Sequence, residues 1–310
     1  MARSPRLAPP VSTPPGSRAL KPATRRRFTA LLFRWHAGAR RPLAIREAVN
    51  PWQVLVAEVM SQQTRIERVG PAWRSFVERW PTPGHLAGAG THELLAAWAG
   101  LGYNRRALAL REAAKTIVAA HDGRVPATVD ALGRLPGIGP YTARAVAASA
   151  FGVPVAPLDV NVRRVVSRVL GVPPAAVGFA TAADGLVSRA EPGRWLDAVM
   201  DLASLICTSR SPSCDVCPLE VLCSSRGVAS DAGATIAGAK PRAAAKPFPA
   251  TARWLRGRLL AALTSVPAGT WIELPDRLGL HDATAIDAAA RALDREGFLE
   301  LRAGAARVRT

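Results

Sequence analysis

No apolar run in this chain approaches the roughly 20 residues that a membrane-crossing helix requires. The N-terminus also lacks the apolar core of a secretory signal, so the sequence reads as that of an intracellular protein with no membrane partner. Convincing alternation of apolar and polar residues is scarce, which argues against a fold built on sheets. Cysteine is absent everywhere except in one 17-residue stretch, and a disulfide framework is therefore not expected in an intracellular chain of 310 residues. Acidic residues are few as well: 23 Asp+Glu stand against 41 Lys+Arg, a formal charge of +18. That imbalance leaves the fold open, but it favours a polyanionic partner over a merely solvated basic surface.

Apolar residues make up 49% of the chain, so it is a folded protein and not a disordered polycation. Residues 1–22 contain no acid and repeat proline at Pro9, Pro10, Pro14 and Pro15, which opposes an amphipathic targeting helix and suggests a disordered basic tail. Helical punctuation then dominates. Phe28, Leu31, Leu32 and Trp35 fall at helical spacing, and Asn50-Pro51 reads as a helix start leading into a helix from Trp52 to Thr64. Further helices fit 68–79, 91–98, 105–120, 128–133, 140–151, 159–169 and 194–206. The expected class is therefore all-α, with one domain over 23–225. Residues 226–250 lose periodicity and fill with Ala, Gly, Pro and Lys, as a linker does. From Thr251 to the end, two helical patterns and a basic terminal hairpin suggest a small winged-helix-like module over 251–310.

Four separated motifs carry chemistry. Cys207, Cys214, Cys217 and Cys223 form C-x6-C-x2-C-x5-C. Four thiolates at one place suit Zn(II) or an iron–sulfur cluster. A single C-x2-C pair inside one continuous loop, spanning 207–223, favours the cluster. Leu135-Pro136-Gly137-Ile138-Gly139 lies between two helical segments; its glycines permit close backbone approach, and the helix that follows presents free N–H groups to an anion. Asp159 precedes another helix, where an ordinary reading is an N-cap. Glu58 interrupts an apolar helix, where burial would favour its neutral form and make it a proton donor; an exposed Glu on a polar face is the plainer alternative.

In this order and spacing, with Pro218 after the third cysteine, the motifs resemble the helix-hairpin-helix DNA glycosylases of the endonuclease III and MutY branch, over roughly residues 25–225. The resemblance implies a base-excision enzyme acting on double-stranded DNA, cytoplasmic and nucleoid-associated, and monomeric. It implies a [4Fe–4S] cluster on Cys207, Cys214, Cys217 and Cys223 that orders a basic loop against the DNA backbone, with Arg210 and Arg226 as phosphate contacts. Gly137 and Gly139 would grip a phosphate. Asp159 would face the sugar of a flipped nucleotide and offset the positive charge that glycosidic cleavage builds there, with Asn161 holding it. Tyr141 stands where bifunctional relatives carry a Lys nucleophile, and a phenol cannot form their Schiff base, so the enzyme would leave an abasic site.

Glu58-Val59-Met60-Ser61-Gln62-Gln63-Thr64 matches the MutY E-V-M-x-Q-Q-T pattern, in which the glutamate protonates adenine. By the same matching Gln63, Thr64 and Tyr103 contact the DNA, Gln63 and Tyr103 as wedges that fill the stack when a base leaves it. Leu43-Ala44-Ile45-Arg46 replaces the L-P-W-R element, keeping only Arg46 of its recognition pair; Ser61 and Asp197 also depart from the pattern, and the last 60 or so residues are too few for an appended NUDIX-like domain. Excision of adenine opposite guanine or 8-oxoguanine is thus the favoured function. Removal of thymine or uracil opposite guanine, and a non-catalytic iron–sulfur DNA-binding protein, are the alternatives.

Overall fold

The computed structural model describes residues 22–226 and 247–309. All of the tail expected over 1–22 except Pro22, which begins α1, and most of the linker expected over 226–250 lie outside the described residues. The first eleven helices run in chain order as α1 (Pro22–Ala39), α2 (Pro51–Ser61), α3 (Ile66–Arg79), α4 (Pro83–Ala87), α5 (Thr91–Ala97), α6 (Arg105–Ala120), α7 (Val129–Gly133), α8 (Pro140–Phe151), α9 (Val160–Leu170), α10 (Phe179–Asp184) and α11 (Pro192–Leu205). After them come α12 (Ala252–Thr264), β1 (Ile272–Glu273), β2 (Arg277–Leu278), β3 (His281–Asp282), α13 (Ala283–Arg295), β4 (Leu299–Arg302) and β5 (Ala305–Val308). Among the described residues no helix is long and apolar enough to cross a membrane.

Local chemistry explains most boundaries. Asn50, Thr82, Thr128, Asp159, Thr251 and Asp282 each accept a backbone N–H in the first turn of the helix they precede. Pro51, Pro83 and Pro140 occupy first helical positions, where their missing N–H costs nothing. Gly152 and Gly171 close α8 and α9 in the left-handed conformation that such helix ends favour. Two short helices, α4 and α10, were not expected. The helix expected to reach Thr64 stops at Ser61, because Gln63 turns to φ +54.

The chain falls into two compact units whose membership does not follow chain order. One gathers the described residues of Met1–Arg40 and Pro154–Gly233, with α11 packed on α1 and α9. Its centre holds Phe28, Leu32, Val162, Val166, Trp195 and Val199, together with a buried pair in which His36 Nε2 lies 3.0 Å from Asp201 Oδ2. The other gathers Arg41–Val153 and the described residues of Ala234–Thr310. There α2 packs on α3 and α8, α6 on α4 and α5, and α7 on α8. Its C-terminal elements join through one apolar core: Leu95 of α5 shares a cluster with Leu255, Leu259 and Leu263 of α12, Ile286 and Leu293 of α13, and Phe298. A three-stranded antiparallel sheet, ordered β1-β5-β4 with Leu299 opposite Val308, covers α13.

Candidate functional site

In the first unit, Asp159 ends an extended segment and caps α9. Its Oδ1 accepts from the backbone N–H of Asn161 at 2.9 Å and of Val162 at 2.7 Å, and its Oδ2 accepts from Asn161 Nδ2 at 2.8 Å. Three donors and a helix N-terminus therefore fix the carboxylate's plane while it stays partly exposed. Asn161 Oδ1 accepts in turn from Arg164 Nη2 at 3.1 Å. Arg164 also donates to the carbonyls of Ala203 at 3.0 Å and Cys207 at 2.8 Å. An unbroken hydrogen-bonded path thus runs from Asp159 through Asn161 and Arg164 to the backbone of Cys207.

The cysteine loop is sewn to the end of the same helix. Arg168 donates to Cys207 Sγ at 3.4 Å, Thr208 O at 2.7 Å and Ser209 O at 3.1 Å, while Cys223 Sγ donates to Arg168 O at 3.4 Å. The N–H groups of Ser224 and Ser225 reach Val169 O and Arg168 O, and a Cβ on Gly171 would stand 3.0 Å from that of Ser224. Cys207, Cys214, Cys217 and Cys223 are all partly buried free thiols. Burial pushes the Cys217 thiol up to about 11, and the charges of Cys207, Cys223 and Cys214 push the same way; the Cys223 thiol is raised too, again chiefly by burial. Among the described residues no three His, Cys, Asp or Glu side chains gather as closely as a single metal ion requires. Four cysteine thiols on one short loop are the kind and number of donor that a polynuclear iron–sulfur cluster uses. Arg226 is ion-paired with Glu220 at 2.6 Å within the loop, and Arg210 is exposed.

In the second unit, Glu58 is partly buried on α2 between the buried residues Ala57 and Val59. Tyr141 occupies the second position of α8, also partly buried, and α2 and α8 pack together. Gln62 Nε2 joins these helices by donating to Thr142 Oγ1 at 3.0 Å. The hairpin Leu135–Gly139 leads into α8. Gly137 stands at φ +74, where an added Cβ would lie 2.6 Å from Ala109 Cβ, so neither its conformation nor its space admits a side chain. Gly139 caps α8 and faces open space. Arg46 lies on a short 3-10 turn, Ala44–Glu47, and donates to Arg41 O at 2.8 Å.

Gln63 and Tyr103 share an uncommon backbone state. Both are non-glycine residues in the left-handed region, at φ +54 and φ +49, and both are exposed. Such conformations persist only when their surroundings impose them. Arg106 does so: its Nη1 donates to the carbonyls of Val59, Met60 and Gln62, at 2.9, 2.8 and 2.5 Å, and its Nη2 to Thr64 Oγ1, Leu101 O and Gly102 O, at 2.9, 3.2 and 2.9 Å. Thr64 Oγ1 closes the arrangement by donating to Leu101 O at 3.2 Å. One guanidinium therefore ties the end of α2 to the loop before α6. Burial lowers its pKa to about 10, which leaves it a cation at neutral pH.

The structure thus brings Asp159 and Asn161 together with the cysteine loop in one unit, and Gln63, Thr64 and Tyr103 together in the other. Arg106, Arg164, Arg168 and Gln62 were not identified from sequence. Each is one polar residue in a helix or at its end, and no local signal separates an arginine that reaches back across 40 residues from one that faces solvent.

Comparisons with known proteins place these residues in context. The family model described as HhH-GPD superfamily base excision DNA repair protein matches residues 56–177. The chain is 40% identical over 274 residues to an adenine DNA glycosylase of Mycolicibacterium smegmatis, covering 87% of this chain and 91% of that relative. Among solved structures it is similar to a thermostable thymine-DNA glycosylase, with a TM-score of 0.61 at 27% identity, covering 65% of this chain and 96% of the other. It is also similar to endonuclease III in a non-covalent DNA complex, with a TM-score of 0.55 at 25% identity, covering 65% and 95%.

Proposed function

The chain belongs to the HhH-GPD superfamily of base excision DNA repair proteins, and within it we propose that it is a monofunctional DNA N-glycosylase that removes adenine mispaired with guanine or 8-oxoguanine. Action on adenine is supported by 40% identity, over most of both chains, to a relative named for that activity. The observation that carries the chemistry is the Asp159 carboxylate, pinned by three N–H donors at a helix start.

Glu58 is the acid. It protonates a ring nitrogen of adenine, so that the C1′–N9 bond breaks with its electron pair leaving on a neutral base. The deoxyribose is left with positive charge, which the fixed Asp159 carboxylate stabilises, and water then adds to C1′ and loses a proton. Asn161 holds Asp159. Tyr141 cannot form an imine, so the product is an abasic site with the strand intact. Gly137, Gly139 and the first turn of α8 contact a phosphate; Gln63, Thr64 and Tyr103 contact the stack around the extruded base; Arg46 lies on the recognition side. Cys207, Cys214, Cys217 and Cys223 would hold a [4Fe–4S] cluster, which when bound orders the loop for backbone contact and takes no part in cleavage. The protein acts as a monomer on mismatched duplex DNA, and residues 251–310 form a winged-helix-like module, a reading that the α12–sheet–α13 arrangement supports.

Removal of thymine or uracil opposite guanine is the second reading, favoured by the likeness to a thymine-DNA glycosylase and by Tyr141. Duplexes holding A·8-oxoG, A·G, T·G or U·G, incubated with the protein and then split with or without hot alkali, decide between them. Alkali-dependent breaks in the adenine strand are expected. Breaks only at T or U would transfer the assignment to the second reading, and breaks without alkali would contradict the role of Tyr141. Binding with no excision of any base would favour a non-catalytic DNA-binding protein.

A further inference from the structure

Tyr103 is held from a direction that the proposed chemistry does not use. Its backbone is fixed by the glycines of the loop and by Arg106. Gly100 and Gly102 stand at φ +83 and φ +69 on either side of Leu101, and Gly102 O accepts from both Trp98 Nε1, at 3.2 Å, and Arg106. The ring projects from that loop and is 39% exposed, with the Arg106 guanidinium 5.6 Å from its centroid. Arg253, in the first turn of α12, reaches it across 150 residues of sequence. Its Nη1 donates to Tyr103 Oη at 2.9 Å, and its guanidinium carbon stands 4.0 Å from the ring centroid. The same guanidinium lies 3.8 Å from where a Cβ on Gly102 would be, and 6.0 Å from the ring of Phe248.

The base of this brace is rigid. Thr251 caps α12 through Trp254 N at 3.2 Å. One turn further on, Leu255 and Leu259 are buried in the cluster that includes Leu95 of α5, the helix that leads into the Tyr103 loop. Loop and brace therefore rest on one core. A guanidinium that stacks on a ring and also bonds its hydroxyl sets the ring's tilt and its rotation, which an ammonium group does less well.

We infer that Arg253 is a positioning residue for Tyr103: α12 presets the ring in the orientation from which it enters the base stack, and so sets the rate at which the target nucleotide is extruded. The inference rests on the reading of Tyr103 as a wedge. Arg253 touches neither the glycosidic bond nor the hairpin that grips phosphate, so cleavage after extrusion and affinity for undamaged duplex should be insensitive to it.

The test is stopped-flow fluorescence of a duplex with 2-aminopurine beside the mismatched adenine, using the full-length, cluster-loaded protein and its Arg253→Ala, Arg253→Lys, Tyr103→Ala and Arg253→Ala/Tyr103→Ala variants. The expected result is extrusion about tenfold slower in Arg253→Ala, as loss of a close cation–ring contact and its hydrogen bond would give, with partial recovery in Arg253→Lys. The double variant should be no slower than Tyr103→Ala alone. Thermal midpoints should match wild type, since the Arg253 side chain is exposed. Slow extrusion in Tyr103→Ala with wild-type extrusion in Arg253→Ala overturns the inference and leaves the wedge intact. Effects that multiply in the double variant also overturn it, because Arg253 would then act through some other group. Wild-type extrusion in Tyr103→Ala removes the wedge reading and this inference with it.

Discussion

Asp159 and Gln63 are held in place by contrasting means. Around Asp159 every anchoring donor lies within three residues: the N–H groups of Asn161 and Val162 and the side chain of Asn161. The backbone there is ordinary and extended, at φ −85 and ψ −176. Gln63 and Tyr103 sit in strained left-handed backbone, and the group that holds their loops is Arg106, which reaches 47 residues back to Val59. The carboxylate proposed to face the sugar is set by a helix cap, which forms as the helix forms. The two loops proposed to contact the base stack are set instead by a distant tie, at the cost of backbone strain.

Substituting Asp159 by Asn is the sharpest test of the first arrangement. Asn caps a helix as well as Asp does, so α9 should still form while the charge is lost, with a small loss of stability because the new amide sets a donor against Asn161 Nδ2. Single-turnover excision should fall by about 100- to 1,000-fold, the size of effect seen when one preorganised electrostatic group is removed. Affinity for duplex should stay within about threefold, because phosphate contacts carry it. If stability and binding fell together with activity, Asp159 would be a structural cap, and the contrast with Gln63 would lose its chemical meaning.

Arg106→Ala tests the second arrangement. Removal of one guanidinium takes a charged donor from six acceptors at once, and urea denaturation should report a loss of about 3 kcal/mol, the scale of charged hydrogen bonds in a half-buried site. Lysine, with three donors on one nitrogen, should recover part of it. Excision should fall as well, since both loops proposed to enter the base stack lose their common anchor. A variant of wild-type stability would mean that the loops hold themselves.

How much of this was readable in advance follows the same division. Asn50-Pro51, Gly139-Pro140 and Asp159 announce helix starts within a few residues, and most longer helices appeared within two or three residues of their expected ends. The helix expected through Thr64 failed because the residues that end it, Gln62 and Gln63, carry no stop signal; the left-handed turn there is imposed by Arg106 from α6. The motif match singles out Gln63 and Tyr103 as candidates, but neither their strain nor what sustains it is written near them. The grouping of 251–309 with α5 was equally hidden, because Leu95 and Leu259 are individually unremarkable apolar residues in separate helices.

Strain of this kind makes an unusual prediction. Gln63→Gly should raise stability by about 1 kcal/mol, because glycine occupies φ +54 without the penalty a Cβ brings there. The same substitution should slow excision, since it removes the side chain proposed to enter the stack and loosens its loop. Thermal denaturation and single-turnover rates measured on one preparation check both halves. No equivalent gain is open at Asp159, where the backbone is relaxed. A Gln63→Gly variant that is less stable would show that the side chain contributes more to folding than its backbone costs.

The smallest effect concerns a third way of fixing a helix, an ion pair at the surface. Glu296 accepts from Arg256 Nη1 at 2.8 Å and Nη2 at 2.6 Å, a two-pronged contact between α12 and the end of α13. These bonds hold the Glu296 carboxyl below its usual range, against a smaller opposing effect of burial. Because the folded value is the lower one, the pair contributes stability above the ordinary glutamate value of about 4.3, and that contribution is lost as pH falls through the depressed folded value. Both side chains keep about a quarter of their surface exposed, at 30% and 22%, so the gain belongs with surface pairs at about 0.2–1 kcal/mol. Glu296→Gln should therefore lower the urea midpoint slightly at neutral pH, and the two proteins should converge in acid. A difference that persisted in acid would trace to packing of the side chain and not to its charge. Since α12 carries Arg253, extrusion measured across the same pH range asks whether this peripheral pair is felt at Tyr103. The buried leucines under α12 argue that it is not, and that the module's apolar core alone sets the position of that helix.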